Sequence, residues 1–539
     1  MADSAPLLRL SNIVKQYPSV TANDHVDLEV EAGQIHAVLG ENGAGKSTLM
    51  KIVYGVTQPD QGQIEWQGDA VAIKSPAQAR AMGIGMVFQH FSLFETLSVV
   101  ENISLSVQGT MAELATRIKD ASTRFGLDVD PYATVHSLTV GERQRIEILR
   151  CILQEPRLLI MDEPTSVLPP QGITRLFETL RNLAATGIGI IFISHKLEEI
   201  RALCDVATVM RAGRVVGVVD PRKETAKTLT RLMIGHEIAL PERAEATDKS
   251  IPVLSINGLS LTPPDPQQSA LNEINMTLSS GQIIGIAGVS GNGQGLLTRV
   301  LSGEEILSAE NAGLIRMDDR PIGQMNPDQR RRLGLHFVPE ERLGRGAVPL
   351  HSLTENTGLT ASHAGLSRWG FLKLRSRNLL TSSIIDAMDV RCGGVDATAQ
   401  SLSGGNLQKF IMGRELALTP RVLIVAQPTW GVDVSAAAAI RQKLLDLRAK
   451  GAAILVISEE LEELFEICDQ LHVMFRGRLS RPVRASQTDM DSIGLAMAGD
   501  FAQVEATVSD TLSETLSGNG SGTLSGNGSG NVSSGELHG

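Results

Sequence analysis

Short apolar runs recur along the chain, and each is closed by a cluster of polar or glycine residues. Gln34-Ile35-His36-Ala37-Val38-Leu39 predicts a strand, and Leu49-Met50-Lys51-Ile52 predicts the start of a helix just behind it. Arg157-Leu158-Leu159-Ile160-Met161 and Ile190-Ile191-Phe192-Ile193 are continuous apolar segments, as expected of parallel strands covered on both faces. Strands of this kind alternating with helices predict an α/β architecture. The pattern fades twice. Residues 236–250 are polar without periodicity and predict a linker, whereas 505–539 contain Thr-Leu-Ser-Gly-Asn-Gly-Ser-Gly at 515–522 and again at 523–530, a low-complexity tail.

The segment between the first strand and its helix is Gly40-Glu41-Asn42-Gly43-Ala44-Gly45-Lys46-Ser47-Thr48, a full G-x-x-x-x-G-K-[ST] loop in the strand-to-helix context that the motif requires. Glycines let backbone N–H groups face phosphate oxygens. Lys46 brings a charge to the β- and γ-phosphates of ATP, and Ser47 a hydroxyl to Mg2+. Asp162 and Glu163 end the second apolar run: Asp162 is expected to hold Mg2+ and Glu163 to polarise the attacking water. His195 follows the third run and is placed to contact the γ-phosphate, and Gln89 fits a residue sensing Mg2+ and water. The expected catalytic set is therefore Glu163, His195 and Gln89, with Ser47, Gln89 and Asp162 at the metal.

The chain then repeats itself. From residue 141 onward two copies align without a gap at a constant offset of 264: Gly141 with Gly405, Asp162 with Ala426, His195 with Glu459, Cys204 with Cys468. Gly288-Val289-Ser290-Gly291-Asn292-Gly293-Gln294-Gly295 keeps the glycines of the first loop but has Gln294 for Lys46 and Gly295 for Ser47. Ala426 and Gln427 replace both carboxylates, Glu340 replaces Gln89, and no aromatic recurs where Tyr17 stands. A lost hydrogen bond to a charged group costs about 1.5–3 kcal/mol, and a lost general base about 10² to 10⁴ in rate. So many losses together predict no hydrolysis at the second loop.

Composition narrows the class. At 539 residues the chain accommodates two domains of about 240 residues each. A net charge of −11 without a long basic stripe argues against general nucleic-acid binding. No run of 18 or more apolar residues predicts a membrane span, so a role at a membrane requires separate subunits. Cys151, Cys204, Cys392 and Cys468 lack metal-site spacing and are expected to be buried reduced thiols.

Leu138-Thr139-Val140-Gly141-Glu142-Arg143-Gln144 resembles, in altered form, the Leu-Ser-Gly-Gly-Gln signature of ABC ATPases; Leu402-Ser403-Gly404-Gly405-Asn406 is closer to it, differing only at Asn406. The resemblance covers residues 5 to 500. It implies two tandem ABC-type P-loop NTPase domains at 5–235 and 251–500. Each would have a RecA-like α/β core, an antiparallel β subdomain and a helical subdomain carrying the signature. In that family two modules pack head to tail around each ATP. Ser403, Gly404, Gly405 and Asn406 are then expected to complete the site of the first loop, with Asp433 in support and Tyr17 stacking on adenine. The Ala-Gln-Pro triplet, the Pro-Glu-Glu-Arg run at 339–342 and the second signature are similar to bacterial carbohydrate and nucleoside importers. Phe88-Gln89-His90-Phe91-Ser92-Leu93 and the Val-Gly-Glu signature are more similar to the nucleoside branch than to the ribose or galactose branch. The implied partners are two integral-membrane permeases and an extracytoplasmic substrate-binding protein, at the cytoplasmic face of the cell membrane. No self-dimer is needed to build the ATPase. A translation-associated tandem ABC ATPase resembles the layout but usually has a long charged linker and two intact Asp-Glu pairs. A DNA-repair ATPase would need zinc-binding cysteine pairs or a coiled-coil insertion.

Overall fold

The computed structural model describes residues 5–501 apart from 18–19, 42, 89–91, 139, 166–167, 169, 195, 236–250, 264–267, 362–366 and 369–370. Asn42, Gln89, Thr139, Pro169 and His195, with the expected linker and tail, therefore lie outside the described residues.

The first apolar run forms strand Ile35–Leu39, buried at every position. It pairs in parallel with Gly189–Ile193 on one side and Val206–Arg211 on the other. Leu158–Asp162 and Ile84–Val87 continue the sheet in parallel, and Arg214–Val219 closes the far edge as an antiparallel hairpin. Strands this apolar must be covered on both faces. The side chains of Leu39, Ile190 and Phe192 join the cluster beneath the helices, while Val38, Ile191 and Ile193 join a separate cluster with the strands of a second sheet. That second sheet is antiparallel: Val20–Val30, Leu8–Tyr17, Gln61–Trp66 and Asp69–Val71. Helices Val99–Ser104, Met111–Phe125 and Val140–Ile152 pack on the other side. Met111–Phe125 starts in a capping box, with Thr110 accepting from the Glu113 N–H and Glu113 from the Thr110 N–H.

The second half repeats this plan and adds Val483–Arg484 beside Gln470–Phe475 and a separate hairpin of Ser367–Arg368 and Phe371–Leu372. Its main sheet runs Leu335–Val338, Val422–Ala426, Ala453–Ser458, Ile283–Ala287, Gln470–Phe475 and Arg478–Leu479, the order of the first sheet read from the opposite edge. Leu271–Ser279, Pro252–Leu261, Ile315–Met317 and Arg320–Pro321 form its antiparallel sheet. The fold is thus α/β and duplicated, as expected from the sequence.

The halves touch through equivalent positions. Pro170 begins helix Pro170–Ala185 and packs on helix Met490–Met497 of the second half, where a Cβ on Gly494 would lie 2.8 Å from the Pro170 ring. Gln171 Nε2 donates to the Asp491 carbonyl at 3.2 Å. Val434, which stands 264 positions after Pro170, packs against the core of the first half. A contact and its counterpart, each reaching into the other half, are what a pseudo-two-fold arrangement produces.

Candidate functional site

In the first loop the backbone dictates the residue types. Gly45 sits at φ +100, immediately before helix Lys46–Val53, and a Cβ there would lie 2.2 Å from the Ala22 carbonyl oxygen. Gly43, at φ +87, has nothing within 4 Å of where a Cβ would be, so its outer side is open. Ser47 is exposed, Thr48 half-buried and Ala44 buried. Lys46 is 5% exposed, and its Nζ donates to the carbonyls of Gly40 at 2.6 Å and Glu41 at 3.1 Å. Burial lowers its pKa, against the opposing charges of Glu163, Asp162 and Glu41. Asp162 is shifted the other way, upward, by burial and then by Glu163.

The carboxylates therefore face the lysine across the end of the sheet, and the excess negative charge of the Asp162–Glu163 pair is what a divalent cation neutralises. An exposed hydroxyl at Ser47, a buried ammonium and two carboxylates form a donor set that fits Mg-nucleotide. Glu163 has a left-handed backbone, φ +47, held by its N–H on the Ile193 carbonyl at 2.9 Å. Tyr17 ends strand Leu8–Tyr17 and is 43% exposed, so it is not a core tyrosine; the Lys15 ammonium lies 5.9 Å from its ring centre.

A residue that sequence reasoning missed organises this region. Glu199 Oε2 accepts from Thr165 Oγ1 at 2.6 Å and from Ser194 Oγ at 3.2 Å, tying the loop after the carboxylates to the residue before position 195. Its counterpart Glu463 accepts from Ser458 Oγ at 2.9 Å. The signal was available: Thr165, Ser194 and Glu199 recur unchanged as Thr429, Ser458 and Glu463 at the offset of 264.

The second loop preserves the shape and removes the charge. Gln294 Nε2 donates to the Val289 carbonyl at 3.1 Å, reproducing the bond from Lys46 to Glu41 with a neutral amide. A cavity of about 260 Å³ lies over this loop, lined by Ser290, Gln294, Glu340, Gln427 and Glu459 among others. Glu459 takes the Ser290 N–H there. Burial, followed by the charges of Glu340 and Glu460, nevertheless pushes its pKa up to about 7. Gln427 keeps the left-handed backbone of Glu163, φ +50, with its N–H on the Ile457 carbonyl at 2.8 Å.

The second signature is a helix start. Ser403 caps helix Gly404–Leu416; its Oγ accepts from the Asn406 N–H at 3.4 Å and from Asn406 Nδ2 at 2.9 Å, which leaves its own proton to donate elsewhere. Asn406 Oδ1 in turn holds the Arg391 N–H at 2.9 Å. Ser403 and Gly404 are exposed and Gly405 half-buried. Asp433 is engaged within its own half as the cap of helix Val434–Ala449, accepting from the Ala436 N–H at 2.7 Å and Ser435 Oγ at 2.6 Å. Among the cysteines, Cys151, Cys204 and Cys468 are buried thiols outside any disulfide, but Cys392 is only half-buried, because it lies in the irregular segment after helix Leu374–Ala387 rather than on a core strand or helix. Burial pushes the Cys151 thiol up to about 12 and Cys204 upward as well.

Comparison with known proteins identifies the family. The family model described as ABC transporter matches twice, over residues 23–166 and 271–430. A glucose import ATP-binding protein of Haloferax volcanii is 38% identical, covering 92% of this chain and 96% of that one. A nucleoside import ATP-binding protein of Lactococcus lactis is 37% identical, covering 92% and 98%. Among solved structures, a chain in the complex of archaeal ribosomal stalk protein aP1 with ribosome recycling factor aABCE1 superposes with a TM-score of 0.58 over 88% of this chain and 90% of its own. At 17% identity that likeness concerns the fold alone. No helix among the described residues is long and apolar enough to cross a membrane. A family model that matches both halves, and relatives aligned along nearly their full length, place the chain in the ABC transporter family, as an ATP-binding subunit whose ATP hydrolysis is coupled to transport.

Proposed function

We propose that this chain energises a bacterial importer, for nucleosides, through a single competent ATP site shared between its halves. The observation that carries the reading is the complementary decay of the two copies. Lys46, Ser47, Asp162 and Glu163 survive only in the first half, and a near-consensus signature, Ser403 to Asn406, survives only in the second. The reciprocal packing of Pro170 and Val434 supports a head-to-tail arrangement in which the two sets cooperate.

In this site the N–H groups of Gly40 to Thr48 and the Lys46 ammonium bind the phosphates, and Tyr17 stacks on adenine. Ser47, Gln89 and Asp162 hold Mg2+, which when bound neutralises phosphate charge. Ser403 Oγ and the N–H groups of Gly404 and Gly405 donate to the γ-phosphate from the other half, so that ATP draws the halves together. Glu163 orients the attacking water and accepts its proton, and His195 contacts the γ-phosphate. Once the γ-phosphate has left, the bridge between halves is gone and they part.

The working units are 5–235 and 251–500, with 236–250 between them and a tail at 505–539. Both ATPase halves are covalently joined, so no self-dimer is required. One chain serves two permease subunits at the cytoplasmic face of the membrane, together with an extracytoplasmic binding protein. The nucleoside assignment rests on the segment at 88–93 and the Val-Gly-Glu signature. A simple sugar is the second reading, favoured by the glucose import relative at nearly the same identity as the nucleoside one. Purification from detergent-solubilised membranes of the source, followed by mass spectrometry, tests both. Polytopic permeases with a nucleoside-carrying binding protein are expected. A sugar-carrying binding protein replaces the substrate, and ribosomal proteins without a permease overturn the importer.

A further inference from the structure

The Pro-Glu-Glu-Arg run ends in Arg342, and this side chain reaches the second signature. Its Nε donates to Gln408 Oε1 at 3.1 Å, on the signature helix itself. Its Nη2 donates to the Trp430 carbonyl, and the guanidinium lies 5.1 Å from the centre of the Trp430 ring. Gln408 continues the chain of bonds, donating through Nε2 to the Pro428 carbonyl at 3.1 Å. The fit around the guanidinium is close. A Cβ on Gly404 would lie 2.7 Å from Nη1, and one on Gly431 3.0 Å from Nη2. Among the described residues Arg342 pairs with no carboxylate and Nη1 has no acceptor, so a half-buried positive charge stands beside the signature turn without a counter-ion.

The feature is confined to the half whose signature is intact. Aligning Gln89 with Glu340 puts Phe91 at the position of Arg342, and the offset of 264 puts Ser166 at that of Trp430, so the altered signature of the first half has neither partner.

We propose that Arg342 is the positioning residue of the working signature: it clamps the Ser403–Gly405 turn to the loop at 428–431 and adds positive charge beside Gly404, for the γ-phosphate of a nucleoside triphosphate held at Lys46. The inference rests on the shared-site reading above. A planar guanidinium satisfies Gln408, the Trp430 carbonyl and the indole face together, whereas an ammonium has no such geometry, so lysine is a poor substitute here.

The test uses the full chain carrying Glu163→Gln to stop turnover, with ATP and ADP binding measured by equilibrium dialysis. Arg342→Ala is expected to weaken ATP binding about tenfold and leave ADP binding unchanged, because only ATP presents a γ-phosphate to the signature. Arg342→Lys is expected to recover less than half of that loss on a logarithmic scale. With Glu163 restored, KM for ATP rises and kcat falls together. Unchanged ATP binding, equal loss of ATP and ADP, or full rescue by lysine overturns the proposal. If Arg342→Ala does not fold, Trp430→Ala, which removes one wall of the clamp, is read in the same way. Gly405→Asp separates the two levels. If it leaves the preference for ATP over ADP intact, the shared site itself fails; if it abolishes that preference while Arg342→Ala does not, only the role of Arg342 fails.

Discussion

At the scale of single residues, the site is a matter of which group stands on a given piece of backbone. Glu163 and Gln427 share a left-handed conformation and the same bond to the neighbouring strand, at a cost of about 1–2 kcal/mol for a residue with a Cβ. Gln427 has this geometry without the carboxylate, so the strain belongs to the fold, and the carboxylate is what distinguishes Glu163. Glu163→Gln is therefore expected to lower the hydrolysis rate 10² to 10⁴-fold while ATP binding persists, as read by phosphate release and nucleotide retention. Glu459 gives a prediction in pH. Its folded pKa of about 7 lies above the ordinary 4.5, so the folded state keeps its proton longer than the unfolded one. Below pH 4.5 both states are protonated and there is no penalty. As pH rises to 7 the penalty accumulates to roughly 3 kcal/mol. Thermal melting should show the wild type losing stability relative to Glu459→Gln between pH 5 and 8; a constant difference would refute the shift.

At the scale of elements, the strands and helices around the site are ordinary products of apolar runs, but their ends are joined by polar groups from distant parts of the chain. Glu415, fully buried on the signature helix of the second half, accepts from Arg331 at 2.6 Å and Arg414 at 3.0 Å, and His336 Nδ1 lies 2.9 Å from it. Burial alone would raise its pKa, yet the two guanidinium groups outweigh burial and hold it well below the usual range. Removing one partner of a buried ion pair costs about 3–5 kcal/mol. Glu415→Ala is expected to lose that much in denaturant unfolding. Because the folded pKa is depressed, the contribution is fully present above the unfolded value and disappears only as pH falls through the folded one. The deficit should therefore be constant from pH 5 to 8, in contrast to Glu459. The position equivalent to Glu415 in the first half is Cys151, so the halves stabilise the same helix by different means.

At the scale of the whole molecule, the question is how many sites work. The cavity over the second loop is lined by the carboxyl groups of Glu340, Glu341 and Glu459, with Gln294 in place of a cation. One hydrolysable ATP per chain is expected. Lys46→Ala should abolish turnover, whereas Gln427→Glu should leave it unchanged, since Ala426, Gln294 and Gly295 remain. A burst amplitude near one phosphate per chain, measured by rapid quench, checks this, and an amplitude near two would mean that the second site turns over.

The α/β class, the duplication, the phosphate loop and the paired carboxylates were all legible in the sequence, because each depends on neighbours in the chain: an apolar run, then a glycine loop, then a helix. Family membership followed from the order of those segments. The conformation of Glu163, the Arg342 clamp and the Glu415 cluster were not, because decisive partners come from strands and helices tens of residues away, whereas the Glu199 tie left a trace in the residues that recur at the offset of 264. The half-exposure of Cys392 was missed for a related reason: an apolar thiol predicts burial, but only the path of the loop decides whether anything covers it. What the sequence by itself determined was which candidate groups each half carries. Which groups face one another, and that Pro170 and Val434 reach across into opposite halves, was decided only by tertiary packing, since local propensity carries no information about contacts between segments that meet only when the chain is folded.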